Sequence, residues 1–335
     1  MKAGQKQTGK TDTVLWVLVL ILVVLGLGVL FSASEYNGRV RFHDSAIILK
    51  SSSLPRHWGC LLCIWHHGRL PAVCKAGAGC YIFSLFLSAA VLLFGQEING
   101  SKRWLNLGPL SFQPSEFSKV AVILFLVWQI SNTKSKTTGF WFICRTMMTL
   151  LPVAGLVGSN NLSTAVIILG IGVLLIFVAN PRYLQFLALG GAGIGFIAVF
   201  LAAESYRLER LAIWRDPEKY EKGFQTIQGL YAIGSGGIFG KGFGNSLQKL
   251  GFVPEAQNDM IFSIVCEETG ILGAFLTLFL FGILIWRLCI LALNCRDLQG
   301  TLLCAGIMAH MAIQVVLNVA VVTNTIPNTG ITLPL

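Results

Sequence analysis

Residues 223–262 read GFQTIQGLYAIGSGGIFGKGFGNSLQKLGFVPEAQNDMIF, a stretch set between long apolar runs. It holds nine glycines together with Lys241, Lys249 and several amides. A passive connector has no need of so many residues free to adopt positive φ or to let another backbone approach. Loops beyond about 12–15 residues are usually functional or disordered, and this one is too rich in Ile, Leu, Phe and Tyr for disorder. The reading is a working loop held by a membrane-embedded frame.

Composition supplies the frame. The 335 residues are 54% hydrophobic and 12% charged, with mean hydropathy +0.71, which excludes a soluble globule. The net charge of +10 does not point to nucleic acid. The basic residues sit in short loops, where they set topology and meet anionic lipid. The run 14–31 is too long for a cleaved signal and lacks a small-residue cleavage site, so it stays as the first span. Cys144, Cys266, Cys289, Cys295 and Cys304 lie in or beside apolar runs, where cysteine acts as a small hydrophobe.

Spans are expected at 13–32, 80–95, 117–130, 139–157, 162–179, 183–203, 259–293 and 301–322. Lys2, Lys6 and Lys10 hold the N-terminus in the cytoplasm. Lys134, Lys136, Arg182, Arg287 and Arg296 fall on that same side only if another segment crosses before Cys80. The crossing has to lie near 46–66, in an atypical stretch (44–78) that reads either as a degenerate second span or as a frameshifted piece of the gene. Cys60, Cys63, His66 and His67, with Cys74 and Cys80, invite a zinc reading. Their membrane location and irregular downstream spacing argue against it.

Polar residues then mark the working face. In 96–119 (QEINGSKRWLNLGPLSFQPSEFSK), Pro114 suits a first helical turn and Glu116 complements the helix dipole. Glu116 and Lys119, three apart, share a face at a span's rim. SNNLST (159–164) opens a span with amides. From Glu204 to Lys222 the chain is densely charged, and Trp214 and Tyr220 suit an interfacial segment. The glycine segment ends in neither GK[ST] nor G-x-G-x-x-G, so nucleotide binding is rejected. Asp259 borders an apolar run, where it can serve as helix cap or as general base. Glu267 and Glu268 lie about two turns deeper, which is expensive unless they pair or face a cavity.

Four segments together resemble one family: NGSKRWLNLGPLSFQPSEFSK, SYRLERLAIWRDPEKY, QGLYAIGSGGIFGKGFGNSLQKLGFVPEAQNDMIFSIVCEETG and VVTNTIPNTGITLP. They are similar to the SEDS proteins (FtsW, RodA, SpoVE), ten-span glycosyltransferases that polymerise lipid II. GNSLQKLGF followed by PEA resembles the FtsW and SpoVE branches, which implies division or septal wall synthesis at the bacterial cytoplasmic membrane. The implied fold is an all-α polytopic domain covering 1–335, with eight or nine spans readable and 204–258 as a large extracytoplasmic loop. Three departures stand out: the 44–78 stretch, Gln257-Asn258 where the family commonly has His-Thr, and an expected tenth span missing after Pro334.

The resemblance implies Asp259 as the catalytic residue and the Glu116–Lys119 pair as part of the site. Arg103, Arg207 and Arg210 are expected to hold the lipid pyrophosphate, since guanidinium forks suit phosphate oxygens, and Lys241 is expected among the substrate-binding residues. Glu255 is expected beside the substrate, as a second carboxylate. A pyrophosphate leaving group also suits a divalent cation, magnesium or manganese, although no dedicated cage is visible. The implied partners are lipid II, a class B penicillin-binding transpeptidase, other division proteins and membrane lipid. The alternatives are a lipid II flippase and an inactive division scaffold. A transporter should show inverted repeats and broken helices at mid-membrane, whereas these polar residues gather on one face.

Overall fold

The computed structural model describes residues 12–42, 70–98, 101–107, 110–133, 140–180, 182–202, 205–253 and 256–335. The proposed second crossing at 46–66, with Cys60, Cys63, His66 and His67, lies outside them. Among the described residues ten α-helices run in chain order: α1 (Thr13–Phe42), α2 (Leu70–Phe94), α3 (Pro114–Ser131), α4 (Phe140–Asn160), α5 (Leu162–Ala179), α6 (Tyr183–Ala202), α7 (Ser205–Arg215), α8 (Phe224–Gly236), α9 (Ile261–Asn294) and α10 (Leu298–Val322). Six of these are long and apolar enough to cross a membrane: α1, α2, α4, α5, α9 and α10. The α3 helix has Glu116 and Lys119 in its first two turns, and α6 contains a shorter apolar stretch, Tyr183–Val199.

Local chemistry sets the helix starts. Pro114 occupies the first turn of α3, where its missing N–H is no loss. Asn161 caps α5, its Oδ1 accepting the Thr164 amide at 3.2 Å. Asp297 caps α10 through the Gly300 amide at 2.8 Å. The helices bury two apolar clusters. One is built on α3, α4 and α5, with Leu126, Ile130, Leu150, Ile168 and Leu175 fully enclosed. The other joins α1 to α9 around Ile264, Phe281 and Leu284. α10 lies between them, with Leu302 in the first and Val315 and Val322 in the second.

Three features depart from the sequence reading. A small antiparallel sheet precedes α3, with β1 (Gln96–Ile98), β2 (Ser101–Leu107) and β3 (Leu110–Phe112) in that order. The presumed loop at 223–262 begins with α8, so only its second half is irregular. That second half is not free to wrap a head group. The expected span 259–293 begins at Ile261 and breaks at Gly270 (φ 70°, ψ −171°), and the glycine segment fills the break. Ile271 and Leu272 donate to the Gly237 and Ile238 carbonyls at 2.9 and 3.2 Å, while Lys241 and Gly242 donate to those of Glu267 and Glu268 at 2.9 and 3.0 Å. A Cβ on Gly270 would sit 2.4 Å from Gly240 N, which no side chain tolerates.

Asp12 fastens the start of α1. Its Oδ1 accepts the Leu15 amide at 3.1 Å, and its Oδ2 takes the Arg287 Nε of α9 at 2.7 Å. The hydrogen bond from Arg287 holds this carboxyl below its ordinary value of 3.8. A depressed carboxylate stabilises the fold above its unfolded pKa, and the contribution disappears as pH falls through the folded value. Asp12→Asn is therefore expected to lower the melting temperature in detergent at pH 7, with the difference from the parent closing below pH 3.8. A gap that persists in acid would show that the pair's charge is not what matters.

Candidate functional site

The segment after α10 is the piece that assembles the site. Thr323–Leu335 has no regular structure, and side chains of three helices tie down its backbone. Ser163 Oγ of α5 donates to the Thr329 carbonyl at 3.3 Å. Arg210 Nη1 and Trp214 Nε1 of α7 donate to the Asn328 and Asn324 carbonyls at 3.3 and 2.9 Å. On α10, Gln314 Nε2 donates to the Thr332 carbonyl at 3.0 Å, and Asn318 Nδ2 to that of Ile331 at 2.7 Å. Gln314 and Asn318 are four residues apart and so lie on one helical face.

Asp259 stands where this strap meets the head of α9. Asn318 Nδ2 also donates to the Asp259 carbonyl at 2.9 Å, and Gln225 Nε2 of α8 donates to Asp259 Oδ1 at 3.3 Å. Across the carboxylate is Gly330 (φ 68°), where a Cβ would lie 3.2 Å from Arg103 Nη1 and 3.8 Å from Asp259 Oδ2. The base candidate and one phosphate-binding candidate thus meet around a glycine whose positive φ disfavours any other residue. Arg103 comes from the middle of β2, and its Nε donates to the Asn160 carbonyl at 3.2 Å. A cleft runs beside it, lined by Ser88, Pro114, Ser115, Asn160 and Asn161.

Asp259 does not cap α9. The cap position is Met260, and no side chain accepts a hydrogen bond there. The Asp259 side chain is almost buried, at 9% exposure.

The Glu116–Lys119 pair enters the same region from α3. The carboxylate and ammonium are 2.8 Å apart, with Lys119 1% exposed and Glu116 45% exposed. Lys119 Nζ also donates to Gln314 Oε1 at 2.8 Å, so the pair is joined through Gln314 to the strap at Thr332. Burial makes the pair asymmetric. Removing Glu116 strands an enclosed ammonium, whereas removing Lys119 leaves a carboxylate that reaches water. Glu116→Ala is therefore expected to cost ~3 kcal/mol or more, and Lys119→Met roughly half of that. Urea unfolding in detergent would read the order, and equal losses would contradict it.

The other candidates are placed differently. Lys241 is not delivered to Asp259: its Nζ lies 2.6 Å from Glu267 Oε1, about 9 Å along α9 from its first residue, Ile261, by helical rise. Glu255 lies outside the described residues, as does the side chain of Arg207. Arg210 is brought in through its bond to the strap. Gln225, Gln314 and Asn318 are site residues the sequence reading missed. The signal for the last two was a pair of amides at i, i+4 inside an otherwise apolar helix. Among the described residues no three His, Cys, Asp or Glu side chains converge to hold a metal. Those residues give a divalent cation no protein cage.

Comparison with known proteins identifies the family. The family model for FtsW, RodA and SpoVE, described as cell cycle protein, matches residues 12–335. Stage V sporulation protein E of Bacillus subtilis is 37% identical over 96% of this chain and 90% of its own. A probable peptidoglycan glycosyltransferase FtsW of Trichlorobacter lovleyi is 31% identical over 96% of this chain and 87% of its own. Among solved structures, a chain of a peptidoglycan synthase complex that coordinates polymerization and crosslinking superposes with TM-score 0.77 at 29% identity, covering 97% of this chain and 91% of that one. The rod shape determining protein RodA of Thermus thermophilus gives TM-score 0.69 at 28% identity, over 98% and 90%. A polytopic helical frame, with its polar side chains drawn together by the strap after α10, belongs to a member of the FtsW/RodA/SpoVE family of cell cycle proteins.

Proposed function

We propose that this chain is a peptidoglycan glycosyltransferase that polymerises lipid II during division or septal wall synthesis. The observation that carries the reading is the meeting of Asp259 and Arg103 around Gly330. Asp259 takes the proton from the 4-hydroxyl of the acceptor sugar, and that oxygen attacks the anomeric carbon of the donor. The bond to undecaprenyl pyrophosphate breaks, and the leaving group's growing negative charge is met by Arg103, with Arg210 and Lys119 nearby. Gln225 keeps the carboxylate turned toward the site, while the cleft beside Arg103 offers hydroxyls and amides to a sugar. Glycan chains formed by the purified protein from purified lipid II, alone or with a class B penicillin-binding transpeptidase, would establish the activity. Lipid movement across vesicles without any glycan product would identify a flippase instead.

The orientation proposed is a cytoplasmic N-terminus with residues 204–258 outside, in the cytoplasmic membrane at the septum. Lys219, 70% exposed in the segment after α7, is a suitable reporter. Lys219→Cys is expected to add labelling by an impermeant maleimide in cells whose outer surface alone is reached. Labelling confined to inverted membranes would reverse the topology and the mechanism with it.

A further inference from the structure

The segment 237–252 is built inside out for a loop in water. Ile238, Phe239, Phe243, Leu247 and Phe252 are exposed, Phe239 to 80%. Its charged side chains point inward. Lys249 Nζ, almost completely buried, lies 3.2 Å from Glu268 Oε1 and 2.7 Å from the Gly244 carbonyl. Lys241 and Ser246 both bond to Glu267. Even the exposed Asn245 turns its amide back onto the Lys241 carbonyl at 3.3 Å. A water-facing loop arranges its side chains the other way round, and apolar patches of this kind mark contact with protein or membrane.

Contacts with α1 give the depth. Gly251 packs on Tyr36, a Cβ there lying 3.2 Å from Tyr36 Cε1. Lys249 Nζ reaches Ser32 Oγ at 2.8 Å, and the Phe243 ring lies against Gly28, 3.4 Å from a Cβ built there. Positions 36, 32 and 28 are successive turns, so the segment descends about 12 Å along α1. The apolar run of α1 ends at Ser34, which puts Phe243 roughly 9 Å inside it by helical rise. Irregular backbone at that depth requires internal partners for its polar groups, and the break in α9 provides them. On both sides the apolar surface is continuous, with Phe31 and Val24 of α1 and Ile271, Leu272 and Phe275 of α9 also exposed.

We propose that segment 237–252 is a re-entrant hairpin seated in one leaflet, its outward phenylalanines in contact with phospholipid acyl chains. The inward lysines neutralise Glu267 and Glu268, the two carboxylates that this depth would otherwise leave uncompensated. The same hairpin closes the hydrogen bonds opened at Gly270, so one element serves both helix and bilayer. The hairpin's placement follows from this geometry alone and holds whatever reaction the chain performs.

Photo-crosslinking of the full chain in vesicles of phosphatidylethanolamine and phosphatidylglycerol tests it. Benzoylphenylalanine replaces Phe239 or Phe243, with Phe275 as a membrane-facing reference and Lys219 as an aqueous one, and mass spectrometry counts phospholipid adducts. Adducts at 239 and 243 matching those at 275, and about tenfold above those at 219, are expected of acyl-chain contact. Yields at the level of 219 would place the hairpin in water and overturn the proposal. Cross-links to a second copy of the chain in place of lipid would overturn it as well. Phe239, 80% exposed, is the position where the substitution alters packing least, and melting temperature checks the Phe243 variant, whose ring lies against Gly28.

Discussion

Asparagine at position 259 is expected to leave a folded, membrane-inserted protein that barely polymerises lipid II. The substitution keeps a side-chain oxygen for the Gln225 amide, which lies 3.3 Å away in the parent, so stability should change by less than about 1 kcal/mol. No cap is lost, because Met260 occupies that position in α9. An amide, however, cannot accept the acceptor sugar's proton, and general-base catalysis contributes about 10²–10⁴-fold. Initial rates of glycan formation should fall by that factor while melting temperature and membrane insertion stay with the parent. An Asp259→Asn protein retaining more than about a tenth of normal turnover would remove the general-base role, and Glu116 would be the next carboxylate to test.

The second large effect is structural. Lys249→Met leaves Glu268 only 1% exposed, with Ser32 as its remaining hydrogen-bond donor and an Oε2 that already has no partner. Stranding one member of a buried pair costs about 3–5 kcal/mol. Lys249→Met is expected to lose that much in urea unfolding, and Lys249→Met combined with Glu268→Gln should recover most of it. Replacing both charges removes the uncompensated carboxylate together with its partner. A single variant within about 1 kcal/mol of the parent would mean water reaches Glu268 after all.

Much of this was legible in the sequence because the membrane enforces simple rules. Apolar length alone located α5, α9 and α10 to within a few residues, since a helix is the only open structure able to satisfy its backbone there. Glu267 and Glu268 announced either buried partners or a polar cavity, and the structure supplies partners. Which lysines would serve was hidden, because pairing across the break at Gly270 depends on three-dimensional closure. The glycines misled for a related reason: Gly240, Gly242 and Gly244 all have positive φ, and a turn locked onto a helix demands this as much as a flexible loop does. Lys241 therefore read as a substrate-binding residue when its ammonium serves Glu267. The sheet escaped notice because strands of three residues, Gln96–Ile98 and Leu110–Phe112, carry too little alternation to register. Asp259, Arg103 and the Glu116–Lys119 pair were legible in the sequence as candidate site residues. The strap that brings them together lies in one of the family-like segments, yet none of its residues carries a charge that would mark it as part of a site.

That strap bears on how the molecule is made. The ribosome delivers Arg103, Glu116, Lys119 and Asp259 well before Gly330, and α10 must insert before Gln314 and Asn318 can grip the residues beyond it. A nascent chain halted after α9 would therefore keep the local contacts of Asp259 with Gln225 and of Arg103 with Asn160, but would lack the Gln314 and Asn318 bonds that join them to the strap. Completion of the site then arrives late, with the residues that lock the strap in place, and a half-made copy threaded into the membrane still lacks the junction at Gly330.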